Sequence, residues 1–306
     1  MKEKLLLFFK GAAMGAADVI PGVSGGTIAF IAGIYERLIS ALSSIDFSLI
    51  PLLKREGVLA VWKKIDGLFL LILLSGIGSS ILSLAKLVTY LLEFHPIPLW
   101  SFFFGLIIAS VVVVQRQMKQ AKPVHLFSFV LGIVFAGWIT TLVPAQTTNA
   151  LWFVFLSGAI AICAMILPGV SGSFILVVMG KYQYILESLH EIRIDVILVF
   201  MAGCLLGLLS FVRLVKWLFS RYHDLSIAVL GGFMVGSLNK VWPWKITLES
   251  TQINDKIIPL VQQNVSPQNF ETMTGAPAEL SFALLSAAVG LALILMLEYV
   301  GQRRKF

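Results

Sequence analysis

The pentapeptide Pro21-Gly22-Val23-Ser24-Gly25 interrupts an apolar stretch near the start of the chain and returns as Pro168-Gly169-Val170-Ser171-Gly172 near its middle. Residues 11–42 align without gaps to 158–189 at an offset of 147, and 12 of the 32 positions are identical, Gly33/Gly180 and Tyr35/Tyr182 among them. A second stretch aligns at an offset of 127, where Gly76, Ser83, Lys86 and Gly105 face Gly203, Ser210, Arg213 and Gly232. Leu and Val match by chance in any apolar chain; a shared Pro-Gly-Val-Ser-Gly and a paired Lys/Arg do not. The chain reads as a duplication, and residues 43–66 fit the extra segment that the change of offset assigns to the first copy.

Composition decides what surrounds the repeats. Hydrophobic residues make up 58% of the 306 and charged residues 13%, with a mean hydropathy of +0.93. Soluble domains average ~45–50% apolar and ~25% charged, so the surplus needs lipid. Six apolar runs, 67–94, 98–117, 124–143, 196–219, 224–241 and 279–299, come near the ~20 residues that cross a bilayer. Each half also opens with two shorter apolar arms joined by the break, 4–19 with 26–42 and 150–166 with 173–189. Pro and Gly stop a helix there, and arms this short read as re-entrant hairpins, tolerated where protein or a cavity covers the open backbone.

The Lys and Arg residues orient this arrangement. They cluster at Lys2 and Lys4, at Lys54, Arg55, Lys63 and Lys64, at Arg116, Lys119 and Lys122, at Lys216 and Arg221, and at Arg303-Arg304-Lys305. Loops 95–98 and 144–149 have none. One assignment puts every cluster, and both termini, in the cytoplasm. The polar segment 242–278 then lies outside, with Trp242 and Trp244 at the interface before it. The same clustering between apolar runs argues against nucleic acid as the partner of the +7 net charge. Three crossings per half is an odd number, so the halves are expected to be inverted. The expected fold is an all-α polytopic membrane protein of two inverted repeats, each a re-entrant hairpin plus three transmembrane helices. The first covers 1–144, with hairpin 4–42, cytoplasmic insertion 43–66 and spans within 67–143. The second covers 145–306, with hairpin 150–189, spans within 196–299 and external loop 242–278. Met1–Phe9 resembles a signal peptide, but Lys10 interrupts it and the following segment recurs, so it belongs to the mature fold.

Chemistry concentrates at the breaks. Ser24 with Thr27, and Ser171 with Ser173, suit the start of a helix, where free amides and the macrodipole favour an anion. Glycines Gly22, Gly25, Gly26, Gly169 and Gly172 let backbone approach a ligand. Two such starts meeting near the midplane would bind phosphate or carboxylate; alternatively, the glycines serve close packing alone. Asp18 precedes the first break and either titrates, coupling transport to protons, or caps the tip; its counterpart is Met165. Glu36 and Arg37 lie past the tip near the cytoplasmic interface, where Arg37 takes a lipid phosphate or anchors the helix. Lys86 and Arg213 match across the repeat and either snorkel or attract head-groups on opposite leaflets. Lys10 and Lys181 are weaker candidates of the same kind. Gly22-Val23-Ser24-Gly25-Gly26 also fits the G-x-S-x-G nucleophile elbow, but His95, His125, His190 and His223 fall at helix ends or loops, leaving Ser24 without an evident base. Cys163 and Cys204 have no metal-ligand spacing. No cofactor is expected beyond proton or sodium coupling.

The paired motifs, Gly15 to Thr27 and Met165 to Ser173, resemble those of the bacterial polyprenyl-phosphate transporter (PopT) family, formerly a membrane domain of unknown function. The resemblance covers essentially the whole chain. It implies a flippase in the bacterial plasma membrane that returns undecaprenyl phosphate from the outer to the inner leaflet for cell-envelope glycan synthesis. The residues themselves supply the candidate substrate site, at Asp18, Pro21 to Thr27, Arg37 and Pro168 to Ser173, with Glu36, Lys86 and Arg213 for head-group attraction or coupling. Partners would be that lipid, membrane lipids and, in one reading, further copies of the chain. The residues alone leave open an ion-coupled carrier of a small soluble anion and an intramembrane serine hydrolase using Ser24.

Overall fold

The structure, a computed structural model, describes residues 2–18, 24–253 and 256–303. The first half comprises α1 (Lys2–Asp18), α2 (Gly25–Ile31), α3 (Tyr35–Ser43), α4 (Leu49–Lys64), α5 (Gly67–Phe94), α6 (Pro96–Gln115) and α7 (Pro123–Thr140). The second comprises α8 (Leu151–Ile166), α9 (Gly172–Val178), α10 (Tyr182–His190), α11 (Ile194–Arg221) and α12 (His223–Val241). It continues through β1 (Lys245–Ile253), β2 (Lys256–Asn264), α13 (Pro267–Thr274) and α14 (Leu280–Arg303).

All six long apolar runs fold as helices, α5, α6, α7, α11, α12 and α14, close to the expected limits. Four of them, α5, α6, α7 and α11, are long and apolar enough to cross a membrane, and a fifth span results if the bent pair α2–α3 counts as one. Helix α12 is less apolar, with Asp224, Ser226, Ser237, Asn239 and Lys240 along it, and Gly231, Gly232, Met234, Gly236 and Ser237 are buried against protein. Proline fixes two starts, Pro96 in α6 and Pro123 in α7, where the missing amide costs nothing. His95 and Tyr222, one repeat offset apart, turn the same corner, at φ −136°, ψ 52° and φ −134°, ψ 53°.

Two expectations need correction. The arms 26–42 and 173–189 are not single helices. Each splits into a pair, α2 with α3 and α9 with α10, and α3 leaves α2 at 116°. Gly33 at φ 67° and Gly180 at φ 62° cause the split, because a left-handed residue after a helix ends its hydrogen-bond ladder. The carbonyls freed there find side chains: Lys10 Nζ donates to Ala32 O (2.6 Å) and Thr147 Oγ1 to Met179 O (2.6 Å). The fold is mostly helical as expected, but the segment expected as a polar loop holds a small sheet. Within 242–278, β1 and β2 form an antiparallel hairpin with Lys245 opposite Asn264. This segment is too polar for lipid, and its β-branched residues suit a pleated strand whose backbone groups pair with a neighbour. The indoles of Trp242 and Trp244 donate to Val265 O and Ala278 O, both at 2.9 Å. Trp244 packs with Ile97, Ala278 and Ala283. The tryptophans thus staple the hairpin segment to the helices.

Helix pairing repeats between halves: α1 lies on α5 and α8 on α11, while α6 lies on α14 and α12 on α7. Each pair is closed by glycine. A methyl on Gly11 would stand 2.3 Å from Leu73 O and one on Gly76 2.2 Å from Phe8 O. Their repeat mates Gly158 and Gly203 meet Phe200 O at 2.5 Å and Phe155 O at 2.0 Å. Gly105 and Gly232 play the same part between α6 and α14 and between α12 and α7. In lipid, where burial of apolar surface gains little, such backbone approach is what holds helices together.

Two ends of the bundle are distinguishable. At one, Asn239 of α12 donates to Thr140 of α7 (2.7 Å) and the tryptophan cluster joins the starts of α6 and α14. At the other, Arg116 pairs with Glu298 (3.4 Å), Asp224 accepts from the Lys119 and Gln120 amides (both 3.1 Å), and His223 meets Glu36 (3.3 Å).

Candidate substrate site at the paired Ser-Gly turns

The first turn begins where α1 ends at Asp18. Pro21, Gly22 and Val23 lie outside the described residues. The chain resumes at Ser24, whose extended backbone (φ −118°, ψ 134°) and hydroxyl, accepting from the Gly26 amide at 3.1 Å, make it the N-cap of α2. Asp18 Oδ1 accepts from the Gly25 amide at 2.6 Å. Two free amides of α2 are thereby satisfied, one by each side chain. Gly25 lies so close to Asp18 that a Cβ there would stand 2.5 Å from its carboxylate. Of the two sequence readings for Asp18, capping is the geometry observed.

The second turn is described throughout. Leu167 is extended after α8, Gly169 takes φ 86°, and Ser171 caps α9 by accepting from the Phe174 amide at 3.5 Å. Its hydroxyl also shares a hydrogen bond with Ser173 (2.9 Å). Glycine is required at 169 twice over: by the positive φ, and because a Cβ would stand 2.7 Å from Phe233 O of α12.

The two turns touch. Ser24 Oγ donates to Met165 O at 2.9 Å, and the Gly169 amide donates to Thr27 Oγ1 at 2.9 Å. Gly26 faces the end of α8 closely enough that a Cβ would stand 2.5 Å from Ile166 O. Ser24 and Thr27 are each 1% exposed, so their hydroxyls are committed to the joint between halves. Met165, the counterpart of Asp18, serves that joint through its backbone. Among the described residues, the partners of the Ser24 hydroxyl are backbone groups.

One face of the second turn opens onto a narrow cleft lined by Ala136, Ile139, Thr140, Gly169, Ser171, Phe174 and Lys240. Its volume, about 10 Å³, admits roughly one water. The Lys240 ammonium stands 4.5 Å over the Phe174 ring. Sequence reading passed over this lysine because a cation in the last turn of an apolar helix looks like an interfacial anchor; only the fold brings it beside Ser171.

The remaining expected residues are not gathered at the turns. Arg37 grips Asp66 with two nitrogens (2.7 and 3.1 Å) and stacks 4.4 Å over Phe69. Glu36 pairs with His223, and Arg213 donates to Ile45 O at 3.1 Å. Lys86 is exposed on α5. Lys181, 1% exposed, donates to Asn149 Oδ1 (2.6 Å) and Thr147 O (3.2 Å). These groups mainly tie connecting segments to helix ends.

Comparison with known proteins adds to this geometry. The undecaprenyl phosphate translocase-like family matches residues 14–257, a range that includes both Ser-Gly turns and five of the six long apolar helices. The chain is 48% identical over 301 residues to a polyprenyl-phosphate transporter of Vibrio cholerae, covering 98% of this chain and 97% of that one. It is 31% identical over 258 residues to a polyprenyl-phosphate transporter of Staphylococcus aureus, covering 78% and 87%. No solved structure matches. This mostly helical, multi-pass membrane protein belongs to the undecaprenyl phosphate translocase-like family.

Proposed function

We propose that the protein carries undecaprenyl phosphate, or a similar polyprenyl phosphate, across the plasma membrane, returning it from the outer to the inner leaflet. The observation that carries this reading is the 48% identity to a polyprenyl-phosphate transporter over nearly the full length of both chains. The phosphate would pass at the paired turns, near the hydroxyls of Ser24, Thr27, Ser171 and Ser173, while the polyprenyl tail stays in lipid.

The inverted arrangement of the halves belongs to the same reading. Repeat mates α5 and α11 are supported as antiparallel by the end contacts: the Asp66 start of α5 binds Arg37, and the Tyr222 end of α11 adjoins His223, which binds the neighbouring Glu36. The Lys- and Arg-rich end, with 116–122, would face the cytoplasm, and the β-hairpin would face outward. The α1–α2 and α8–α9 turns then enter as re-entrant hairpins from opposite sides. Rocking of the halves about the Ser24–Met165 and Thr27–Gly169 joint would alternate access, with a proton or sodium ion as the coupling species.

The test is reconstitution into liposomes carrying undecaprenyl phosphate, with leaflet exposure followed over time. Faster equilibration than in protein-free vesicles is expected. No acceleration, together with uptake of a soluble anion, would replace the lipid reading with that of a small-anion carrier.

A further inference from the structure

Lys240, in the last turn of α12, lies beside the second Ser-Gly turn, and Lys245, at the start of β1, reaches back to the Lys240 carbonyl. Lys245 Nζ donates to Lys240 O at 2.5 Å and stands 3.8 Å over the Trp100 ring, while Lys240 Nζ stands over Phe174 in the cleft that Ser171 lines. Both side chains are partly withdrawn from solvent, and burial, followed by the nearby Lys240 charge, holds Lys245 well below the usual lysine pKa. Among the described residues, none of the ion pairs involves either lysine. Aromatic faces hold an ammonium without neutralising it. Two neighbouring, half-buried cations without a counter-ion cost stability and mark a functional position by default.

We propose that Lys240 and Lys245 form a docking site for a phosphomonoester dianion at the β-hairpin end of the bundle. The inference rests on the transport reading above and assigns the head-group contact that reading lacks. A phosphomonoester carries about −1.5 to −2 charges near neutral pH, which favours the ammonium form of both lysines and is matched by two of them. Lys240 would leave the Phe174 ring to enlarge the cleft, placing the phosphate between its ammonium and the Ser171 and Ser173 hydroxyls. Lys245 supplies the second charge from behind, held by Trp100 and the Lys240 carbonyl.

The full-length protein in detergent would be titrated calorimetrically with farnesyl phosphate, a short-chain prenyl monophosphate, and separately with inorganic phosphate. Lys240→Met and Lys240→Arg proteins would be run alongside, with thermal unfolding of each and flipping in liposomes. The expected result is that Lys240→Met weakens farnesyl phosphate binding at least about tenfold, the loss of one charge-assisted contact. Lys240→Arg should retain most of the affinity. Unliganded Lys240→Met should melt no lower than the wild type, since it loses an uncompensated charge. Unchanged binding by Lys240→Met, with wild-type flipping intact, overturns the site and spares the transport reading. Failure of Lys240→Met to fold or a lower melting temperature makes the lysine structural and also overturns the site. Equal wild-type affinity for inorganic phosphate, lost in Lys240→Met, supports the site but overturns the lipid reading. No wild-type binding and no flipping overturns both.

Discussion

Thr27 and Gly169 come from opposite halves, and their hydrogen bond shows how much a single hydroxyl carries. Thr27→Val keeps the volume but leaves the Gly169 amide without its acceptor. Because Thr27 is 1% exposed, that should cost about 1–3 kcal/mol, read as a lower melting temperature in detergent. Asp18 accepts from one amide, and asparagine can do the same. Asp18→Asn should therefore keep the wild-type melting temperature, whereas Asp18→Ala should lose about 0.5–2 kcal/mol. Two glycine substitutions separate close contact from backbone strain. A Cβ at Gly33 meets nothing within 4 Å but sits at φ 67°, so Gly33→Ala should cost only the left-handed penalty of roughly 1–2 kcal/mol. A Cβ at Gly26 would lie 2.5 Å from the Ile166 carbonyl, and backbone cannot step aside as a side chain can. Gly26→Ala should wedge the turns apart and abolish flipping in liposomes, with Gly33→Ala retaining it. The capping roles of Ser24 and Ser171 were legible from residue type and position. Their partners were not, because Met165 O and Gly169 N are backbone groups that carry no mark in the sequence.

Helices, rather than residues, are the level at which the sequence was most transparent. Length and apolarity placed α5, α6, α7, α11, α12 and α14 because lipid imposes both conditions at once. The splits at Gly33 and Gly180 were missed although both glycines had been matched across the repeat, since an isolated glycine in an apolar run signals a close contact as readily as a helix end. The β-hairpin was missed for a different reason: 242–278 was read as a polar external loop, and the alternation within it was not weighed. Matched glycines have a second use that the duplication alone did not reveal, which is to close equivalent helix pairs. Gly76 and Gly78, two residues apart on α5, test this. A Cβ at Gly76 would stand 2.2 Å from Phe8 O, whereas one at Gly78 would meet nothing within 4 Å. Gly76→Ala should separate α5 from α1 and lower the melting temperature sharply, as overpacking against backbone costs about 1–3 kcal/mol or more. Gly78→Ala should leave it unchanged or raise it by up to about 1 kcal/mol, the gain from removing glycine from a helix interior. Equal effects from the two substitutions would show that glycine acts through helix propensity and not through helix contact.

At the scale of the whole molecule, what matters is the direction in which each half crosses the membrane. A duplicated unit with an odd number of crossings cannot return with the same orientation, so the proposed inversion rests on the count of crossings in each half. Hydrogen bonds and ion pairs then sort the connections into two ends. Arg116, Lys119, Asp224 and Glu36 share one, and Thr140, Asn239, Trp244 and Ala278 share the other. Which end faces the cytoplasm rests on charge alone, because Lys and Arg resist translocation in short loops. Labelling tests both statements together. Cys163 and Cys204 are partly buried between α8 and α11, where their thiols approach Gly207 O and Gly158 O, and replacing them with alanine gives a background without native thiols. In that background a cysteine at Lys119 should react with a membrane-impermeant maleimide only after the cells are opened. A cysteine at Thr272, on α13 beyond the β-hairpin, should react in intact cells. Labelling of both from outside would place the two loops on one side and end the inverted arrangement. Reversal of the two results would keep the inversion but turn the molecule over, placing the Lys240 cleft on the cytoplasmic side and making it the exit of the proposed path instead of its entrance.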